Sequence, residues 1–444
     1  MRPYLYTALI LVALTNVAKA ATQDEVVAFG RAMFHEARFS NPGSDMEASC
    51  ASCHAEVDPL GSRAFTELFQ RSWHPWRTED PGRETLRNTP TLLDVGEHAF
   101  IHMDGEFATL EDQVRGTLVG RNFGWLPGEE SAALARVRWV FDNNPSHSES
   151  YESAFDVTIS DRSDVQVADD IATATAAFMR TLKSEFDSPY DEFMRVNRLP
   201  LQPSANETPK AYADGVLARL QSARFISGFD AKALEGYRIF LRSSGRDKAG
   251  NCVACHVPPL FMDDTYHNTG VSQMEYEKFH GAGSFDTIVI PIRNVNEISP
   301  AQFRSISRRR DQGHVDLGHW NFARPETSPL RLPGDSREAF FARTIGTFKT
   351  PPLRHLGSTD PYMHSGEYDF LEWAVEQKVE AAFLARMGQL RNGDEELKSI
   401  RLDPNDVKAL VAFLNTLNDQ GERRAVPAPT QGSAGYSSGA YSQN

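Results

Sequence analysis

Two pentapeptides of this chain carry obvious chemistry: CASCH at 50–54 and CVACH at 252–256. In each, two thiols stand three residues apart and a histidine follows the second. Cys50, Cys53, Cys252 and Cys255 are all the cysteines there are. Three chemistries share this spacing. A structural zinc site needs four ligands, and two cysteines with a histidine in five residues supply three at most, with poor geometry for the adjacent Cys–His pair. A thioredoxin-like dithiol needs no following histidine and sits in a βαβ context, which neither surrounding sequence shows. Covalent haem attachment uses all three residues: the thiols add to two vinyl groups and the histidine reaches the iron. An exported chain normally uses spare cysteines for disulfides, and here none is spare. The spacing therefore predicts two c-type haems, with His54 and His256 as proximal iron ligands.

The N-terminus suits export. Arg2 is followed by the apolar run LYTALILVALTNVA (5–18) and by AKA (18–20), which offers small residues around a cleavage point. This reads as a signal peptide, 1–20, cut after Ala20. A membrane anchor is the other reading, but the run falls short of the roughly 20 apolar residues a span needs. No other segment is apolar for long enough, so no stable membrane insertion is expected after cleavage. Cleavage leaves 424 of 444 residues and takes the formal charge from −14 to −16. That length predicts two or three domains. Such an acidic protein has no general attraction for nucleic acid and suits a basic partner.

The elements that must position the two motifs come as a repeat. TPTLLDVGEHAFIHMDGEFATLEDQV (89–114) and TPPLRHLGSTDPYMHSGEYDFLEWAV (350–375) match without a gap at an offset of 261, with nine of 26 positions identical. Each copy lies downstream of one CxxCH, as in a duplicated haem module. A helix is predicted over 24–36, and another over 403–417 that starts with cap Asp403 and Pro404. The fold class predicted is mainly α: two cytochrome c-like lobes, each with one covalent haem, joined by long loops. The boundaries expected are 21–205 and 206–421, with 195–210 as the connection. The stretch 304–335 reads as the longest loop, and 422–444 as a disordered tail.

As a set, the first CxxCH, RNTPTL (87–92), DGEFATLEDQ (104–113), the second CxxCH with YHNTGV (266–271), FKTPPLR (348–354), PYMHSG (361–366) and LDPNDVKALVAFLNTL (402–417) resemble the bacterial di-haem cytochrome c peroxidase superfamily, which includes the MauG-type maturation enzymes. The resemblance covers most of residues 25–420. It implies a periplasmic protein with a peroxide site at the N-terminal haem, electron transfer at the C-terminal haem and a calcium ion between them. Asn88 matches the side-chain calcium ligand, and Thr359 and Pro361 match the two backbone-carbonyl ligands. The alternative for Asn88 is that it only caps a turn.

The departures are as informative. Gln113 matches the glutamine of the family's distal pocket, but the catalytic glutamate ten residues on is Phe123, which cannot move a proton. Glu129 or Glu130 reaches the site only if the loop differs. The family's tryptophan between the haems is Met103, with Trp125, Trp73 and Trp76 as candidate substitutes or else ordinary packing residues. A distal histidine ligand is absent at the matching position, Asp80, and the loop offers only His74. At the axial position of the C-terminal haem stands Lys378, on the apolar stripe Leu371, Val375, Lys378, Ala382. Either it coordinates iron as a neutral amine, or its stem packs and its ammonium snorkels out. Met363 and Met387 are weaker ligand candidates.

The function expected is a periplasmic di-haem oxidoreductase that uses hydrogen peroxide. Its partner would be an electron-donor protein, a small cytochrome or copper protein, or else a protein substrate oxidised at a side chain as in MauG. The rival reading is a non-catalytic di-haem electron carrier or sensor.

Overall fold

The computed structural model describes residues 22–55, 77, 87–245 and 247–420. The expected signal peptide and tail, and the roles considered for His74, Trp73, Trp76 and Asp80, lie outside the described residues.

Helices dominate, as expected, and the sheet found among the described residues is one antiparallel pair, β1 (Tyr266–His267) against β2 (Phe348–Lys349). The helices that frame the site are α1 (Gln23–Phe34), α2 (Leu110–Leu118), α3 (Asp164–Met179), α4 (Ala231–Leu241), α5 (Leu371–Arg386) and α6 (Pro404–Leu414). Their starts follow capping chemistry. Thr22 and Glu25 form a capping box on α1, Ser163 and Gln166 on α3, and Asp403 and Asp406 on α6, where Pro404 takes the first turn. The helix predicted over 403–417 ends earlier as α-helix, its last residues forming the tighter turn Asn415–Leu417.

One hydrophobic cluster draws on residues from Phe29 to Leu182, including α1, α2 and α3. A second joins α4 and α6 through Tyr237, Phe240, Leu410 and Phe413. Each rests on a helix crossing that only glycine allows. A Cβ on Gly30 of α1 would lie 1.9 Å from the Ala174 carbonyl oxygen of α3, and one on Gly236 of α4 lies as close to that of Ala409 on α6.

Tyr190, Phe193, Met194 and Leu199 pack into the second cluster, because helix Pro189–Val196 buries its apolar face there. The stretch 304–335 runs without α-helix or β-strand, as the loop reading expects, with one short helical turn, His319–Asn321. Val315, Leu317, Trp320 and Ala323 form a third cluster with Phe340 and Phe341. Its apolar residues follow no helical or strand period, so no pattern marks their burial.

The repeat is visible in the backbone. Antiparallel bridges Ile101–Phe107 and Tyr362–Tyr368 are related by the same offset. So are the left-handed residues Asp94 and His355, His102 (φ 67°) and Met363 (φ 71°), and Gly105 and Gly366. Helices α2 and α5 begin at equivalent positions.

Candidate functional site

Cys50–Cys53 forms one helical turn and Cys252–Ala254 a tighter one, so a thiol three residues after another returns to the same side. Both turns open on one cavity of about 630 Å³, lined by Cys50, Cys53 and His54 and by Cys252, Cys255 and His256. Among the described residues the cysteines form no disulfide. Burial, and then the neighbouring Cys53, pushes the Cys50 thiol up to about 12, and burial with Cys255 does the same to Cys252. A redox dithiol needs the opposite shift. The described groups close enough to share a metal ion are Cys255–Asp263–His267 and His102–Asp104–Glu106, and neither is a cysteine-rich zinc set. His267 lies 2.8 Å from Asp263 and 3.1 Å from Asp394. Against the effect of burial, these carboxylates raise it to about 12 and hold it as an imidazolium without a lone pair.

The residues fit haem. His256 Nδ1 donates to the Phe261 carbonyl at 2.8 Å, and burial lowers its pKa to about 4. The ring is thus neutral and its Nε2 keeps a lone pair, the arrangement a histidine ligand requires. Phe240, Leu353, Val375, Leu410 and Leu414 give the cavity an apolar wall.

Helix α2 buries Leu110, Val114 and Leu118 and turns its next face to the cavity. Gln113 and Thr117 stand there, with Gln113 Nε2 donating to Thr117 Oγ1 at 2.9 Å. Phe123 is 2% exposed and lines the same wall. No glutamate replaces the missing acid from the loop that follows. Glu129 accepts from Arg77 at 2.5 Å and from the Leu126 amide at 2.9 Å, Glu130 is exposed, and neither lines the cavity. Trp125 packs in the first cluster, its indole N–H donating to the Phe39 carbonyl at 3.1 Å. Met103 does line the cavity.

At the second motif, Lys378 points inward. Its ammonium lies 2.8 Å from Thr269 Oγ1 and 3.8 Å from Met363 Sδ, and burial lowers it to about 8. The snorkelling alternative is therefore set aside: the stripe Leu371, Val375, Lys378 faces the cavity rather than protein, and Lys378 turns into the cavity with it. Met387 is 59% exposed and is not on this wall. In the repeat, Lys378 is equivalent to Thr117. The two positions thus differ, an amine beside a thioether at one and a threonine hydroxyl bonded to Gln113 at the other.

Asn88 does not cap a local turn. Its side-chain N–H₂ donates to the Pro361 carbonyl, and its Oδ1 is buried with no hydrogen-bond partner among the described residues. Thr359 and Pro361 line the same cavity. An orphaned amide oxygen beside backbone carbonyls is the hard-oxygen set that calcium takes.

Sequence reasoning missed three groups on this wall. Arg87 bonds Asp104 at 2.5 Å and Asp316 at 2.6 and 2.9 Å. Lys349 meets His98 Nδ1 at 2.6 Å; burial brings the lysine to about 8, and burial with Lys349 depresses the histidine to about 3. His102 meets Glu106 at 3.1 Å. The i, i+4 spacing of His102 and Glu106, and the repeat that sets His102 opposite Met363, were the available signals.

A mainly α frame with two CxxCH turns on one cavity fits a protein that holds two haems. The sequence model of the family described as di-haem cytochrome c peroxidase matches residues 24–198. Cytochrome-c peroxidase IdrP2 of Denitromonas iodatirespirans is 27% identical over 413 residues, 93% of this chain and 86% of that protein. Methylamine utilization protein MauG of Methylorubrum extorquens is 25% identical over 410 residues, 91% and 81% of the two chains. The crystal structure of the diheme peroxidase BthA from Burkholderia thailandensis shares the fold, with a TM-score of 0.58 at 21% identity over 92% of this chain and 90% of that one. Residues 24–198 thus match the di-haem cytochrome c peroxidase family, and the whole chain is similar to cytochrome-c peroxidases and MauG proteins, a likeness that implies two c-type haems. No helix among the described residues is long and apolar enough to cross a membrane.

Proposed function

We propose that the chain is an exported, periplasmic di-haem oxidoreductase of the peroxidase type, built as two cytochrome c-like lobes. Hydrogen peroxide would meet the haem held by Cys50, Cys53 and His54. Electrons from a small cytochrome or copper protein would enter by the haem held by Cys252, Cys255 and His256. A bound haem supplies a redox-active iron whose free axial position can take an oxidant. The observation that carries the reading is the unequal far walls: Lys378 stands beside Met363 at the second site, while the equivalent positions at the first hold Thr117 and His102, with Gln113 bonded to Thr117. Gln113, oriented by Thr117, would bind and polarise peroxide. Steady-state peroxide turnover with a reduced small cytochrome tests this. Gln113→Ala is expected to lower it about 100-fold, the usual effect of losing one positioned donor. Turnover that ignores Gln113, or none at all, would move the protein to the carrier or sensor reading, which Phe123 favours. Oxidation of a protein side chain, as in MauG, would show as peroxide consumption without a reduced cytochrome.

We also propose a calcium ion held by Asn88 Oδ1 and the carbonyls of Thr359 and Pro361, joining the two repeats. A chelator is expected to lower the melting temperature, with calcium restoring it and magnesium failing to do so. A melting curve indifferent to chelator would remove the ion from the scheme.

A further inference from the structure

Phe123 leaves the first site without the acid that peroxide chemistry needs, and the structure supplies another group close by. We propose that His102, oriented by Glu106, is the acid–base group of the first site. The inference rests on the peroxidase reading above.

The repeat places it. His102 is equivalent to Met363, whose sulfur stands beside Lys378 on the far wall of the second site. His102 lines the cavity in the corresponding place. Its hairpin leans on α2: the His102 and Phe107 rings meet edge to face at 5.0 Å, and Phe107 packs so close to Gly116 that a Cβ there would lie 2.9 Å from it. Gly116 sits between Gln113 and Thr117.

The ring is aimed. His102 Nδ1 donates to Glu106 Oε2 at 3.1 Å, and Nε2 has no hydrogen-bond partner among the described residues. A carboxylate on one ring nitrogen fixes the tautomer and leaves the other as a base, the logic of hydrolase triads. Burial works against the Glu106 charge, but His102 and Arg304 overcome it and keep the carboxyl below its usual range. The charged groups around the ring are Glu106 and Asp104 on its own hairpin, Arg87 bonded to Asp104, and Arg304 at 3.8 Å from Glu106. From α2 come neutral Gln113 and Thr117, and the turn that follows brings Arg121 to the same cavity. These arginines occupy the carboxylates of the His102–Asp104–Glu106 group, which argues against a cation there. His98, which also lines the cavity, is held by Lys349 and too weakly basic to compete.

Nε2 would take the proton from one peroxide oxygen and deliver it to the other, which leaves as water when the O–O bond breaks. Two electrons from the donor protein and two protons from solvent complete the conversion of one peroxide to two waters. Histidine suits such a shuttle because its ordinary pKa lies near neutrality.

The test uses holoprotein carrying His102→Asn. Asparagine tolerates the left-handed backbone that His102 adopts (φ 67°) and cannot shuttle the proton. Stopped-flow mixing with hydrogen peroxide is expected to show a fall of about 100-fold or more. Glu106→Gln, which leaves ring and backbone in place, should give a smaller fall and shift the pH profile. Cyanide provides a readout apart from turnover, because hydrogen cyanide must also give up a proton as it binds. Its affinity should lose its pH dependence in His102→Asn. If that variant melts well below wild type, Glu106→Gln decides by its pH shift. Rates and cyanide binding within threefold of wild type would overturn the inference. So would a low-spin first site turned high-spin by His102→Asn, since His102 would then be an iron ligand. A wild type inert to peroxide would sink the peroxidase reading instead, and the cyanide arm would still decide whether His102 is the site's base.

Discussion

Arg87→Met is expected to destabilise the protein by about 3–5 kcal/mol, the cost of breaking a buried ion pair by removing one partner. Arg87 bonds two carboxylates that are 0% exposed, Asp104 on the first repeat and Asp316 within the third cluster. Methionine fills much of the volume but leaves both acids buried without their cation. The contact also joins segments 229 residues apart, so its loss should loosen the first repeat from the third cluster and disturb Asn88 next to it. The pH dependence has a definite sign. Burial works to raise the Asp316 carboxyl, yet Arg87 overrides it and holds the group below the usual carboxylate range. A depressed carboxylate stabilises the fold above its unfolded pKa and loses that contribution as pH falls through the folded one. Asp104 behaves oppositely: there burial outweighs Arg87 and the carboxyl is raised. Without Arg87, Asp316 loses the charge that depresses it and Asp104 rises further, so acid should destabilise the variant less than wild type. Urea unfolding at pH 7 and pH 4.5 is expected to show a gap that narrows at the lower pH. A loss under about 1 kcal/mol, or a gap that ignores pH, would mean that water or another cation replaces Arg87.

Lys378→Met should raise the reduction potential of the second haem by on the order of 0.1 V, a fraction of the ~0.8 V range that axial ligands span. A thioether stabilises ferrous iron better than an amine does. The geometry suits the amine: Lys378 turns into the cavity of the second CxxCH, and burial brings it to about 8. The sign is that of a base with a lowered pKa. The neutral amine is favoured in the folded protein, and this contribution is lost as pH falls through the folded value. Iron binding would lower the midpoint further, so the wild-type spectrum should change ligation at some pH below 8. Lys378→Met should lack that transition. Low-temperature electron paramagnetic resonance and a spectroelectrochemical titration check both points. A second haem with the same potential and spectrum in Lys378→Met would show that Lys378 is no ligand, and Met363, at 3.8 Å, would take its place.

What the sequence determined by itself is what neighbouring residues encode. The two CxxCH motifs, the capped start of α6 and the position of Lys378 on a stripe depend on spacing within a few turns of chain, which backbone geometry reads directly, and the repeat is the match of two such local patterns at an offset of 261 residues. The tertiary structure decided what the stripe faces, since a helix period marks an apolar side but not whether protein or a cofactor cavity lies against it. It also decided the third cluster, built from apolar residues without a period. The Arg87 clamp and the Asn88–Pro361 contact join groups far apart in sequence. Their meeting depends on how the helices cross, and those crossings are set by close backbone contacts such as Gly30 on Ala174 and Gly236 on Ala409.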